Sequence, residues 1–448
     1  MNTFKRILCI ALCFYMLNSP AYGFAETIEP LDESEIKTNI EEEYGIKIIY
    51  SQDDKNIDYL DCMLVLERSL RKFPEGVIRE ITDYYSQMGI ETNVVINKTE
   101  KIADLFSEYV LADKSATVYI NALQNSMYNS ECVASEESTV YEIIHLIGDY
   151  MYEIYGHERM KNDFLQFNEG YEYGNWEEYS NVFISKHSAM SFEDEVADLI
   201  WYTEVHPELL RTLDCDEKEI IHKKIEYLAE VFDECFDSVS ENTRLWMEAV
   251  PQEPDNWALE TVTQLKNASI IPDEFDGIYD AYITKENFYT LVMNVMESKF
   301  GSDEQISSLN MYMQEEYVSL DPVKGEIFMN DGMVPYSSIL CSNKEVIYKA
   351  YQMGFLSHDG IAEPDSYMTR LEAAKIFAYI ANEQGMDISD YEVINYNDLN
   401  DVEDQDKTFI YYAATKGILK GYGYSFNPNG YCTYQESYIM LMRLYNIL

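Results

Sequence analysis

The segments Met368-Thr369-Arg370-Leu371-Glu372 and Cys432-Thr433-Tyr434-Gln435-Glu436 define the C-terminal third of this 448-residue chain. In both, a threonine precedes an apolar helical pattern, and a glutamate follows three residues later. A threonine oxygen and a glutamate carboxylate at this spacing each accept a free backbone N–H at the start of a helix. Each segment therefore predicts a helix that begins just after its threonine.

The two segments belong to an internal repeat. Thr369 and Thr433 are 64 residues apart, and the glycine–hydrophobic turns Gly354-Phe355 and Gly417-Ile418 are 63 apart. Two landmarks with nearly the same spacing are typical of repeated helix-turn-helix units.

An earlier copy begins at Ile283-Thr284-Lys285-Glu286, after a helix predicted to start at Trp257-Ala258. Thr284 lies 85 residues before Thr369, so the second copy carries an insertion, which we place within residues 301–338. The sequence thus predicts an all-α module of three repeats. Their predicted bounds are residues 250–300, 320–384 and 385–448.

This part of the chain resembles three S-layer homology repeats. The resemblance is carried by Trp257-Ala258, the glycine–hydrophobic turns, Thr369-Arg370-Leu371-Glu372 and Gly421-Tyr422-Gly423-Tyr424-Ser425-Phe426-Asn427-Pro428. It implies a three-lobed helical module that binds secondary cell-wall polysaccharide, an anionic polymer, without a covalent link.

The resemblance also implies that the arginine of the repeated motif lines the ligand groove. Only Arg370 matches that arginine, and Lys285 and Tyr434 stand at the other two positions. Lysine keeps the charge but loses the two-pronged grip on a carboxylate, and tyrosine loses the charge as well. We therefore expect Arg370, Lys285 and Trp257 to bind the polysaccharide, with Arg370 forming the most competent groove.

The preceding residues, 26–245, predict an α+β domain. Runs rich in β-branched residues predict three strands, at Ile46–Tyr50, Val94–Asn97 and Thr117–Asn121. Helical periods of apolar residues predict helices between and after them, at residues 58–71, 75–88 and 139–155.

The last of these helices carries Tyr141-Glu142-Ile143-Ile144-His145. Zinc peptidases place His-Glu-x-x-His on a helix, where two histidines one turn apart hold the metal and the glutamate acts as the base. Glu142 and His145 match this pattern, and Tyr141 takes the place of the first histidine.

A downstream segment, Glu193-Asp194-Glu195-Val196-Ala197-Asp198, extends the similarity. This segment resembles the second helix of glutamate-zincins of the anthrax lethal factor-like kind. Together with the motif helix, it extends the resemblance to that family over roughly residues 42–236. The resemblance implies a zincin-like fold, with Asp194 at the third ligand position and Asp198 as the supporting acid. It also places His187 where the family tends to have an oxyanion-stabilising tyrosine.

Tyr141, Asp194 and His187 each depart from that family's pattern. The departures favour a zincin-like domain that has lost its chemistry, holds no cofactor and binds a peptide or protein. The alternative is an active zinc peptidase in which Tyr141, His145 and Asp194 hold zinc and Glu142 is the base. A phenol has a reference pKa of about 10, so the metal would have to deprotonate Tyr141. The simplest alternative makes His145 a packing residue.

The composition restricts where such a protein can act. The chain has 81 acidic and 32 basic residues, a net charge of −49, which argues against nucleic acid as a partner.

Residues 1–25, with a basic start and a short apolar run, predict a secretory signal peptide, and no later run predicts a transmembrane helix. We therefore expect a secreted bacterial protein of the cell wall or cell surface.

Overall fold

The computed structural model describes most of the chain. The described residues are 33–50, 57, 59–99, 108–124, 132–133, 135–168, 171–174, 182–213, 215–240, 243–301, 318–320, 327–329, 332–333, 346, 350 and 364–448. The predicted signal peptide and the turn at Gly354-Phe355 lie outside these residues.

The part before residue 250 mixes helices and strands, as the sequence predicts. Its helices are α1 (Glu33–Tyr44), α2 (Tyr59–Arg71), α3 (Val77–Gln87), α4 (Glu136–Met151), α5 (His157–Phe167), α6 (Phe192–Val205), α7 (Pro207–Arg211) and α8 (Cys215–Cys235). Its strands are β1 (Lys47–Tyr50), β2 (Glu91–Thr99), β3 (Glu108–Ala112), β4 (Ser115–Gln124) and β5 (Cys132–Val133). A π-helical turn, Tyr152–Gly156, joins α4 to α5.

The strands form one sheet in the order β1-β2-β4-β3. Strands β1, β2 and β4 are parallel, whereas β3 and β5 pair with β4 in the antiparallel sense. Alternate residues of β2 and β4, including Val94, Ile96, Val118 and Ile120, are buried, as expected where one sheet face meets a core. The edge strand β3 was not predicted from the sequence.

Helix α4 occupies the centre of this first domain and contacts α2, α6 and β4. Val140, Ile143, Ile144 and Ile147 lie along its buried face. The helical period of these apolar residues positions the opposite edge of α4, which carries Tyr141 and His145, beside α6.

The C-terminal part is largely helical. Its helices are α9 (Leu259–Asn267), α10 (Lys285–Phe300), α11 (Arg370–Glu383), α12 (Asp404–Thr415) and α13 (Tyr434–Ile447). The region of the expected insertion also contains a three-stranded antiparallel sheet, made of β6 (Val318–Leu320), β7 (Ile327–Met329) and β8 (Gly332–Met333). The all-α expectation is therefore wrong for this insertion, where short runs of β-branched and aromatic residues form strands.

Three segments that precede α10, α11 and α13 are joined in a ring of backbone hydrogen bonds. The amide of Ile283 donates to the carbonyl of Cys432 (3.0 Å), Cys432 donates to Met368 (2.9 Å), and Met368 donates to Ile283 (2.9 Å). Each of these three residues, which lies one position before the N-cap threonine of its helix, therefore donates to one of the other two and accepts from the remaining one. This closed pattern gives the three segments a three-fold arrangement.

Side chains repeat the same arrangement. The rings of Tyr282, Tyr367 and Tyr431 form a triangle with centroid separations of 5.3 to 5.5 Å. Each tyrosine lies two residues before an N-cap threonine. Thr369 and Thr433 form complete capping boxes with Glu372 and Glu436, which confirms the helix starts expected at those positions.

The residues that the structure describes bury two large hydrophobic clusters. The first includes residues from Ile36 to Ala249, and the second includes residues from Ala258 to Leu444. No helix in the described part of the chain is both long and apolar enough to cross a membrane.

Candidate functional site

The loop between α12 and α13 is organised around Asp398. Its carboxylate accepts hydrogen bonds from the amides of Phe426 (3.0 Å) and Asn427 (2.7 Å) and from the hydroxyl of Ser425. Burial alone would raise the pKa of Asp398, but these donors hold it below its usual value. One carboxylate therefore fixes the conformation of three successive loop residues.

Close backbone approach shapes the other end of this loop. A Cβ on Gly421 would overlap the Ser425 carbonyl oxygen and the Tyr396 ring. Asn427 has φ of 57°, in the left-handed region that asparagine tolerates better than most residues. The segment 421–428 noted in the sequence thus contains residue types that its backbone geometry requires.

Arg370, the first residue of α11, reaches into this loop from a separate helix. It is only 4% exposed. Its guanidinium donates from Nε to the carbonyl of Phe426 (2.9 Å) and from Nη2 to that of Lys420 (2.7 Å). The sequence predicted a ligand-gripping residue here. The structure shows that this arginine also holds the loop.

An exposed aromatic side chain covers Arg370. The Tyr422 ring lies over the guanidinium at 5.1 Å, and this tyrosine is 65% exposed. Its hydroxyl donates to the carboxylate of Glu436. Tyr424 is 78% exposed in the same loop. The result is an open aromatic surface backed by a buried cation, a combination suited to a sugar that carries an acidic group.

The two other predicted polysaccharide-binding residues occupy different settings. Lys285, at the equivalent position of α10, is 9% exposed and pairs with Glu372 (Nζ to Oε1, 2.8 Å). Burial would raise the pKa of Glu372, yet hydrogen bonds from Lys285 and Thr369 hold it below its usual value. Trp257 is 55% exposed, and its indole N–H donates to Asp255 (2.9 Å).

The third equivalent position holds Tyr434, which is completely buried. Its hydroxyl accepts from the Asn287 amide (2.7 Å) and lies 3.3 Å from a carboxylate oxygen of Glu248. Burial, followed by the charge of Glu248, raises the pKa of Tyr434 well above its usual value. This tyrosine is a neutral packing and hydrogen-bonding residue.

A second candidate site lies between α4 and α6 in the first domain. Ser191 caps α6 by accepting from the amide of Asp194 (3.1 Å), and its hydroxyl also donates to the Asp194 carboxylate (2.8 Å). One turn further along α6, Asp198 is 6% exposed. The helical spacing puts both carboxylates on the side that faces α4.

Asp198 is the centre of a hydrogen-bonded cluster. Its Oδ1 lies 3.2 Å from the Tyr141 hydroxyl, which donates to it, and 3.1 Å from His187 Nδ1. Ser185 donates to Oδ2. His187 Nδ1 is also 3.1 Å from the Tyr141 hydroxyl, and Nε2 is 3.7 Å from Asp194. The structure thus brings Tyr141, His187, Asp194 and Asp198 together.

His145 adjoins this cluster, since its ring packs edge-on against Tyr141 with centroids 4.9 Å apart. Burial lowers the pKa of His145, and the charges of Asp194 and Asp198 act in the opposite direction. Glu142 is 9% exposed on the same helix. The six residues named by the sequence motifs therefore occupy one region.

The arrangement does not fit zinc bound through Tyr141. The hydroxyl of Tyr141 is committed to Asp198, and burial, followed by Asp198, raises its pKa well above the usual value. Such a phenol resists the deprotonation that a metal bond needs. Among the residues that the structure describes, no group of three or more His, Cys, Asp and Glu side chains is arranged to hold a metal ion.

The sequence analysis missed a buried ion pair beside this site. Lys224 is fully buried, and its ammonium contacts Glu195 and the carbonyl of Val182 (3.0 Å). The Tyr173 hydroxyl donates to the other Glu195 oxygen (2.6 Å). Glu195 lies in the acidic start of α6 directly after Glu193 and Asp194, so the local sequence pattern did not mark it as buried.

Comparison with known proteins identifies a domain in the C-terminal part of the chain. The S-layer homology domain family model matches residues 395–436. This segment contains α12, the loop organised by Asp398, and the start of α13 with Tyr434. No curated protein and no solved structure matches the chain.

The chain therefore contains an S-layer homology domain at its C-terminal end. Domains of this family bind cell-wall polysaccharide, and their presence places a protein at the cell surface or cell wall. The protein is accordingly a cell-surface or cell-wall-associated protein.

Proposed function

We propose that three S-layer homology repeats anchor this secreted bacterial protein non-covalently to secondary cell-wall polysaccharide. The matched segment at residues 395–436 carries the proposal. The hydrogen-bond ring through Ile283, Met368 and Cys432 supports extending it to three repeats, because all three segments meet in the same way.

The polysaccharide is proposed to lie on Tyr422 and on the edge of Arg370. An acidic sugar there has an aromatic face to pack against and a guanidinium beneath that face, whose charge lies 5.1 Å from the ring. The high net negative charge of −49 opposes general attraction to an anionic wall. Binding therefore depends on this local cation.

The test is sedimentation of the purified protein with isolated cell walls. Arg370→Lys keeps the charge but loses the forked donor, and we expect binding about tenfold weaker, equivalent to about 1.4 kcal/mol. Arg79→Lys is the matched control, since Arg79 is half exposed and its partners, Asp83 and the Glu42 carbonyl, both lie in the first domain. Equal binding by the two variants would contradict the role given to Arg370.

The first domain is proposed to be zincin-like in fold, non-catalytic, and displayed outward to bind a peptide or protein. The support is the motif helix beside α6, with Tyr141 in place of a histidine ligand and hydrogen-bonded to Asp198. A phenol in that hydrogen bond is a stable neutral group and a poor zinc ligand.

Zinc content after loading and dialysis tests this second part. The wild-type chain is expected to retain no zinc above background, and Tyr141→His is expected to gain zinc if the zincin-like geometry is intact. One tightly held zinc per wild-type chain, lost in His145→Ala, would instead favour the active peptidase. Peptide cleavage abolished by Glu142→Gln would then establish it.

A further inference from the structure

The positions of Lys285, Arg370 and Tyr434 are equivalent in the three-fold arrangement. Each is the first residue of a helix, and its backbone amide donates to the loop before the neighbouring helix. The acceptors are the carbonyls of Ser366 (2.9 Å), Gly430 (2.9 Å) and Ala281 (3.1 Å). A comparison of the side chains at these positions therefore compares three versions of one pocket.

In the second version, the guanidinium of Arg370 donates to the loop carbonyls of Lys420 and Phe426. In the third version, Tyr434 has no cation to offer to the corresponding loop. That loop nevertheless has a guanidinium bound to its carbonyls. Arg211 donates from Nε to Asp276 (3.2 Å) and from Nη2 to Glu274.

Arg211 comes from the first domain, at the end of the short helix α7. It is 9% exposed, and its third nitrogen donates to the Glu248 carbonyl. The Glu248 side chain in turn lies 3.3 Å from the Tyr434 hydroxyl. Arg211 and Tyr434 therefore meet in one buried polar cluster, although they are 223 residues apart in the sequence.

Further contacts hold the same faces together. Arg244 donates to the Asp280 carbonyl, and its guanidinium lies 4.8 Å from the centre of the Tyr282 ring. Arg71 forms a two-pronged ion pair with Asp365, with N–O distances of 2.5 and 2.6 Å. Three arginines from the first part of the chain thus contact the C-terminal module.

We propose that the pocket beside Tyr434 is the docking site for the first domain, with Arg211 supplying the guanidinium that the third repeat lacks. This rests on the three-repeat interpretation proposed above. The pocket is filled from within the chain, so wall polysaccharide has at most the two grooves at Arg370 and Lys285. The first domain is held in a fixed position on its anchor.

The experiment uses the full chain in scanning calorimetry and limited trypsin digestion. In Arg211→Ala we expect the transition of the C-terminal module to fall by about 5 °C or more and to separate from that of the first domain. We also expect new cleavage after Arg244, since that residue is held against Asp280 only when the domains are docked. The matched control is Arg159→Ala, whose side chain is 57% exposed.

Identical behaviour of Arg211→Ala and Arg159→Ala would overturn the proposal. If Arg211→Ala does not fold, Arg211→Lys replaces it, because lysine keeps the charge and loses the forked donor. We expect the same changes in smaller measure, and no change would again overturn the proposal.

The double variant Arg211→Ala/Tyr434→Arg tests whether the pockets are equivalent. An arginine at position 434 would return a guanidinium to the loop from within the module, so the module transition should recover. Trypsin sensitivity should persist, because the docking arginine is still absent. No recovery would contradict the equivalence. A wild-type chain that fails to bind walls would refute the anchoring function, whereas the unfolding and trypsin results alone decide the docking proposal.

Discussion

Removing the carboxylate of Asp398 tests how the loop that carries Tyr422 is built. Asp398 accepts from two backbone amides and one hydroxyl, and it is partly exposed. A hydrogen bond to a charged group contributes about 1.5–3 kcal/mol. Solvent screening, and water that replaces the lost acceptor, reduce the sum of these three contributions. We therefore expect Asp398→Ala to lower the free energy of unfolding of the module by about 2–4 kcal/mol.

Asp398→Asn is the sharper variant, because it keeps the size and one acceptor oxygen but loses the charge. We expect about half the effect of the alanine variant, in urea unfolding followed by circular dichroism. The matched control is Asp401→Asn, three residues away and exposed. Equal unfolding curves for the two asparagine variants would refute the account of the loop.

The same carboxylate predicts a pH dependence. The pKa of Asp398 is lowered in the folded protein, so its contribution is fully present above the unfolded pKa of about 4. It is lost as the pH falls through the lower folded value. The difference in stability between wild type and Asp398→Asn should therefore shrink below about pH 4, and a constant difference would contradict the assignment.

Three further outcomes are expected. Lys224→Met should lower the free energy of unfolding of the first domain by about 3–5 kcal/mol, because Glu195 is left buried and unpaired. In urea unfolding, the double variant Lys224→Met/Glu195→Leu should recover most of this loss. No recovery would contradict the pairing. Gly421→Ala should weaken wall sedimentation, since its Cβ meets the Ser425 carbonyl, and unchanged binding would contradict that contact. Thr433→Ala should cost about 1 kcal/mol through loss of the N-cap, measured by thermal unfolding, and a neutral result would contradict the capping box.

The local patterns in the sequence were sufficient for most elements. The strands around Val94 and Val118, the helix with Tyr141 and the capping boxes at Thr369 and Thr433 all depend on residues close in the chain. Propensity and capping act over a few residues, so such elements are visible without the tertiary structure. The edge strand β3 was missed because its residues lack a strong alternating pattern.

The hydrogen-bond partners of the site residues could not be predicted from local sequence patterns. The spacing of Glu142, His145, Asp194 and Asp198 indicated two facing helices, but not that Tyr141 donates to Asp198. That contact depends on the packing angle of α4 against α6. The burial of Lys224 and of Arg211 likewise depends on segments far away in the sequence, and no local pattern marks it.

Arg370 illustrates both what the sequence could predict and what only the structure shows. The repeated motif identified its position at the start of a helix, and the family resemblance implied that it lines a ligand groove. Its burial under Tyr422 and its two bonds to backbone carbonyls emerged only from the structure. In the function we propose, the arginine therefore supports the binding surface as well as forming part of it.

Sedimentation of the wild-type protein with intact walls and with walls stripped of their polysaccharide tests the central claim most directly. The account predicts that the protein pellets with intact walls and stays in solution with stripped walls. It also predicts that free polysaccharide released from the same walls competes for binding. Equal pelleting with both wall preparations, or none with either, would contradict anchoring through this polymer.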